Sequence, residues 1–366
     1  FECLPESRAL RADGTFNSKL LHAAFGQLAR HMTTAQVPVF LRLLAAVALV
    51  DIELLARARK KLQQHRSFSE AIGARLAALE TSALSASTSE VAVVAAFRCA
   101  ALGFDGESMR VLLGALLRSW LRDHAEVNAD AHSLFWHVAQ LCWACAEVRA
   151  HTNEAASLAA SFAGHHRGVG DPLSCLRLAW GSLACGGADT TVEVLLGDLV
   201  DLDGAHLLAQ LTPVDRQPAQ QLAWHAQRQG EGFVGDWVQK VLDDGRGKRS
   251  RGTHPGQSAL PGGKPERHLS GLLQEMRVPH VMATPAAMPS GSGKSIWFPQ
   301  PKAVLDVGAE DDRLMSGKLR GVTELRRRQL YSAGLHVHAV DAKDLSDVSR
   351  SQQLHLVAHA VAESCP

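Results

Sequence analysis

The residues of this chain that could do chemistry fall into four groups. Near the C-terminus a run of cations, Arg326, Arg327 and Arg328, follows Lys318 and Arg320 at close spacing. Arginine can grip a phosphate through two parallel hydrogen bonds, so where it reaches solvent such a run reads either as a phosphate contact or as a solvated charged face. A second basic group, Arg246, Lys248, Arg249 and Arg251, stands among Gly, Pro and Ser and reads either as a solvated tether or as a tail that orders on phosphate. Among acids, Asp306 is set in the apolar run Leu305-Asp306-Val307, while Glu310, Asp311 and Asp312 read as an exposed acidic loop. Last, Cys142 and Cys145 form a CxxC inside an apolar run, with no second pair at zinc-ribbon spacing, so no metal site is expected from them.

Two further patterns are set aside. Ser290-Gly291-Ser292-Gly293-Lys294-Ser295 ends like a phosphate-binding P-loop, but Met288 stands where the first glycine is needed. Ile296-Trp297-Phe298-Pro299 then follows in place of a helix, and no nucleotide or other cofactor is expected. The eighteen histidines, His165-His166 included, match no HExxH or other ligand spacing.

The elements that must position these groups come in two kinds. Residues 15–243 read as consecutive amphipathic helices, with apolar residues at helical spacing and breaks at Gly, Asp, Asn and Pro. Four stretches share a loose pattern of an Ala/Leu-rich helix, an acidic or Asn turn and a second Leu-rich helix. They start at residues 40, 91, 134 and 173, and their turns at Asp51, Asp105, Asn153 and Asp189 are candidate helix N-caps. Stacked helical pairs of this kind predict an α-solenoid with a long binding surface, the alternative being an irregular bundle. Residues 244–268 form the basic, Gly/Pro-rich linker.

Residues 269–366 have an α/β rhythm. A helix is predicted over 269–276, an extended stretch over 278–281 and a Pro/Gly/Ser loop reaching Pro301. A strand over 303–307, a helix over 321–331 ended by Gly334, a strand over 335–340 and a last helix over 351–362 complete the module. The apolar line Val322, Leu325, Leu330 predicts that Arg327 and Arg328 project to solvent.

Composition sets the limits. With 366 residues and 46% hydrophobic residues the chain can bury a sizeable core in two or more units. A formal charge of +1 excludes a global basic field, so any contact with nucleic acid must use local patches. The seven cysteines show no disulfide framework, and no apolar stretch is long enough to span a bilayer.

Residues 302–363 resemble a RAP domain. The resemblance is carried by Leu305-Asp306-Val307, by the run from Gly321 through Thr323, Leu325 and the three arginines, and by Ala333-Gly334-Leu335-His336-Val337-His338-Ala339-Val340. It implies a small restriction-endonuclease-like α/β module closing a mainly α protein, as in FAST-kinase-domain proteins and the RAP proteins of apicomplexan and algal organelles. Nucleases of that fold converge two acids and a lysine on a divalent metal. Here Asp306 stands for one acid, but Gly308 occupies the position of the lysine and 278–281 offers no partner acid, so a catalytic site is not expected. The resemblance implies a noncatalytic organellar RNA-binding protein, mitochondrial or else plastid, such as a mitochondrial ribosome subunit or rRNA-binding factor. The alternatives are a protein–protein scaffold of a large mitochondrial complex and, third, an RNA endonuclease.

Overall fold

The computed structural model describes residues 86–123, 131–201, 207, 211, 213–230, 235–236, 264–282, 295–299, 302–308 and 312–364. The first helical stretch, Asp51 and residues 244–263 of the basic linker, with Arg246, Lys248, Arg249 and Arg251, lie outside them; the last five residues assigned to the linker, 264–268, are instead the first turn of a helix that opens at Lys264. The protein is mainly helical with one small four-stranded sheet. Its residues group into two compact units, one reaching Thr191 and including Leu314–Lys318, the other made of Val192–Arg313 and the chain from Leu319. That division falls before the linker at 244–268, because a helix upstream of it packs on the C-terminal module.

The first unit holds α1 (Ala86–Ala101), α2 (Glu107–Asp123), α3 (Ala131–Val148), α4 (Thr152–His165) and α5 (Pro172–Ala184). The odd-numbered helices lie side by side, with α3 between α1 and α5, while α2 and α4 pack alongside. Position therefore decides burial. From Leu134 onward α3 exposes almost nothing, with Trp136 half-buried amid buried neighbours. Trp143 at its centre sits 5.6 Å from Trp180 of α5 and meets the edge of Phe97 of α1 at 4.9 Å. The buried Arg177 places its guanidinium 4.6 Å from the centre of the Phe97 ring. Close approach of α3 and α5 requires a glycine: a Cβ on Gly181 would stand 3.0 Å from the backbone carbon of Cys142 and 3.1 Å from the nitrogen of Trp143.

Helix starts differ in part from expectation. Asp171, not singled out in the sequence, caps α5 by accepting from the backbone N–H groups of Leu173 and Ser174 at 3.0 and 3.1 Å. Asn153 lies one residue inside α4, whose N-cap is His151. Asp105 is buried, and its carboxylate accepts from the backbone N–H of Ser316 at 3.1 Å and from the Ser316 hydroxyl.

α6 (Asp189–Val200) begins at the last predicted cap residue and crosses from the first unit into the second. The second unit continues with a 3₁₀ turn at Pro213–Asp215, α7 (Arg216–Arg228), α8 (Lys264–Glu275), β1 (Val281–Met282), β2 (Ser295–Phe298), β3 (Ala303–Gly308), α9 (Gly321–Ser332), β4 (His336–Asp341), α10 (Ala342–Ser346) and α11 (Arg350–Ser364). Strand order is β1-β2-β3-β4; the first two pairings are antiparallel and β3–β4 is parallel. A parallel neighbour needs a crossover, and α9 supplies it. The strand β2 was missed within the predicted loop, which is too Gly- and Ser-rich upstream to mark its start. With β2 present, β3 pairs with 295–298, so 278–281 is not the neighbouring strand on which a partner acid would be sought.

Alternation along β3 sorts its side chains onto two faces. Leu305 and Val307 enter an apolar cluster with Leu269, Leu272 and Leu273 of α8 and Val357 and Ala360 of α11. Val304 packs with Leu330 of α9 on the opposite face. Asp306, two residues from Val304, shares that second face.

Candidate functional site

Asp306 is wholly buried in the middle of β3, where an unpaired carboxylate would be prohibitively costly. Its oxygens are taken by α9. Nη2 of Arg326 lies 2.8 Å from Oδ1, and Arg327 donates its Nε–H to Oδ2 at 2.8 Å. Across the hairpin, in register with it, Ser295 donates its hydroxyl to Oδ1 at 3.5 Å. Asp312, just before α9, completes the group: it accepts from the Thr323 hydroxyl at 3.1 Å and sits 3.7 Å from Nη1 of Arg326. Two carboxylates thus balance two guanidinium groups, with the side chains of Asp306 and Arg326 at zero exposure.

Helical spacing explains the arrangement. Thr323, Arg326, Arg327 and Leu330 recur at steps of three, one and three residues and form the stripe of α9 that faces the sheet. A second stripe is turned toward α7: Gln221 of α7 donates to the carbonyl of Val322 at 2.7 Å, and Gln329 donates to the carbonyl of Gln221 at 2.9 Å. α9 is therefore buried on two sides.

These positions correct three expectations. Arg326 does not reach solvent at all, and Arg327 is turned inward onto Asp306, because the buried acid requires cations within reach. Of the arginine run, Arg328 alone is exposed. Asp312, read as part of an exposed loop, is 2% exposed and bonded to α9. Upstream, Arg320 is half-buried at the N-cap of α9, where its backbone N–H donates to the carbonyl of Asp312 at 3.0 Å. Lys318 is exposed, on the segment Leu314–Lys318 that belongs to the first unit and is tied there by the Met315 N–H to the carbonyl of Gly103 at 2.8 Å.

The chemistry available to Asp306 follows. A divalent cation needs carboxylate lone pairs aimed at it. Both Asp306 oxygens face guanidinium groups, which would also repel a metal. Gly308, where the acid-x-lysine pattern would set a lysine, is buried and ends the strand.

Cys142 and Cys145 are buried in α3; burial, with Cys185 nearby, pushes both thiols well above the usual range. Among the described residues no group of three or more His, Cys, Asp and Glu could hold a metal, and no helix is long and apolar enough to cross a membrane. Ser295 of the P-loop-like run opens β2, and residues 290–294 lie outside the described residues.

What the sequence did not disclose is the role of Thr323, Asp312 and Ser295 around Asp306. A signal existed: one acid in an otherwise apolar strand calls for a cation, and the next helix carries two on the same stripe. Neither a comparison with protein-family models nor one with curated proteins finds a match for the chain.

Proposed function

We propose that the chain is a noncatalytic RNA-binding protein of an organelle, whose C-terminal α/β module docks on RNA without cutting it. The observation that carries the noncatalytic half is the commitment of both oxygens of the wholly buried Asp306 to Arg326 and Arg327. The RNA half rests on the resemblance of residues 302–363 to RAP domains and on the exposed cations Lys318 and Arg328. The order of α1 to α5, odd helices side by side with even ones alongside, supports an α-solenoid that would present further surface to RNA.

The test is a filter-binding titration of the full chain with organellar RNA at physiological salt, next to the separate variants Lys318→Ala and Arg328→Ala. Binding that at least one variant weakens several-fold supports the proposal; no binding, or binding indifferent to both, removes it. Mg²⁺-dependent cleavage of the same RNA that disappears in an Asp306→Asn variant shown by thermal melting to be folded would overturn the noncatalytic half.

A further inference from the structure

Leu314–Lys318 is a tight turn grouped with the first unit. Leu314 donates its N–H to the carbonyl of Lys318 at 2.7 Å, and Gly317 donates to the carbonyl of Leu314 at 2.9 Å. Gly317 takes φ 86°, which glycine adopts without strain. Leu314 is buried, whereas Ser316, Gly317 and Lys318 are exposed at the tip. The turn is held to the corner between α1 and α2 by the Met315 N–H on the carbonyl of Gly103 at 2.8 Å and by Ser316 on Asp105.

Asp105 is 4% exposed, so its carboxylate must be hydrogen-bonded to remain there. Among the described residues Ser316 makes those bonds: its backbone N–H reaches Oδ1 at 3.1 Å, and its hydroxyl donates to Oδ2. No cation among the described residues pairs with this acid, so the hydroxyl proton is half of what satisfies it. The same hydroxyl oxygen accepts from the Lys318 N–H at 3.4 Å. Arg313, three residues before Ser316, has a side chain 40% exposed and paired with Asp341 at 2.8 Å, a partly exposed pairing of the kind that contributes little.

We propose that Ser316 is a phosphorylation site whose modification releases this turn from Asp105. The serine stands at the exposed tip of a turn, and Arg313 before it with Lys318 after it forms the basic flank that a class of Ser/Thr kinases reads by charge. The kinase acts on the turn when it is transiently open. The γ-phosphoryl group of ATP passes to Ser316 Oγ: the new O–P bond forms, the bond to the β-phosphate breaks, ADP leaves, and the hydroxyl proton goes to the kinase's catalytic aspartate. Phosphoserine has no hydroxyl proton to give Asp105, and it carries about −1.5 to −2 charge where that proton was. Lys318 supplies one positive charge, which cannot balance both the phosphate and the buried carboxylate. The turn is therefore held open once modified, since the closed form is disfavoured by repulsion and by the loss of a bond. The proposal does not rest on RNA binding, because its readout is the turn itself.

The experiment treats the folded full chain with ATP, Mg²⁺ and a Ser/Thr kinase selective for arginine three residues before its serine, and maps the product by mass spectrometry. Amide exchange of residues 314–318 and the rate of tryptic cleavage after Lys318 are then compared in the parent, the phosphorylated chain, Ser316→Glu and Ser316→Ala. The phosphorylated parent needs no substitution to fold, and thermal melting establishes that each variant does. The expected result is modification at Ser316, with exchange and cleavage faster by about tenfold or more in the phosphorylated chain, the scale of one lost charge-assisted contact. Ser316→Glu should follow it, and Ser316→Ala, which removes the hydroxyl without adding charge, should open the turn less. The proposal is wrong if Ser316 stays unmodified, if the phosphorylated turn is as protected as the parent's, or if Ser316→Ala opens it as far as the phosphate does.

Discussion

A buried ion pair behaves differently when one partner is lost than when both are. Asp306→Ala would leave Arg326 buried against Asp312 alone, and Arg326→Ala would leave Asp306 with one cation. Each change is expected to cost about 3–5 kcal/mol of unfolding free energy, whereas Asp306→Leu combined with Arg326→Met should cost much less than the two single changes together. Denaturant unfolding of the three variants measures this. The same reasoning makes Asp306→Ala a poor probe of catalysis, since the fold would fail with it. The thiols give a second prediction. Burial pushes Cys99 up to about 12 and raises Cys142 and Cys145 as well, so at pH 8 iodoacetamide should leave all three unmodified until denaturant is added, as mapped by mass spectrometry. Below an unfolded thiol value of about 8.5 both states hold the proton and the term is constant; above it only the unfolded thiol ionises. Stability should then fall by about 1.4 kcal/mol per pH unit for each such thiol, for Cys99 until about pH 12.

At the scale of elements, α5 lies on α3 only because Gly181 has no side chain. Gly181→Val should force the two helices apart at Cys142 and Trp143 and destabilise the first unit by about 1–3 kcal/mol, seen as a lower melting temperature and faster amide exchange in α3. The positions of β3, α9 and β4 were legible in the sequence, because β3 and β4 are short Val-containing runs and Gly334, with φ 76°, marks the end of α9. The orientation of α9 was not legible. Assigning its apolar line to the core and its arginines to water follows the usual rule, but a helix buried on two sides has no face to spare for that rule. β2 was hidden for another reason: four residues are too few for alternation to stand out beside the Gly- and Ser-rich run before them.

For the whole molecule, a formal charge of +1 limits how RNA can be held. Only a few local cations can meet phosphates, so the fall of log Kobs with log salt should be shallow, about −0.7 for each phosphate met on single-stranded RNA. Removing Lys318 or Arg328, where either is a contact, should flatten the slope by about that amount, as read from titrations at several salt concentrations. The division into units was only partly legible from composition. A Gly/Pro-rich linker marks a change in sequence, but packing follows side chains, and Gln221 of α7 bonds to α9 at both Val322 and Gln329 from upstream of that linker.

The Asp306 group also bears on how the sheet assembles. Strand alternation means that slipping β3 by one residue would exchange its two faces. Asp306 would then enter the cluster of Leu269, Leu272 and Val357, while Leu305 or Val307 would meet two arginines with nothing to neutralise them. Both errors are expensive, and they occur together. The polar group therefore works as a proofreading mark: it adds little to the depth of the native state, yet it removes the nearest mispaired sheet from those the chain can settle in.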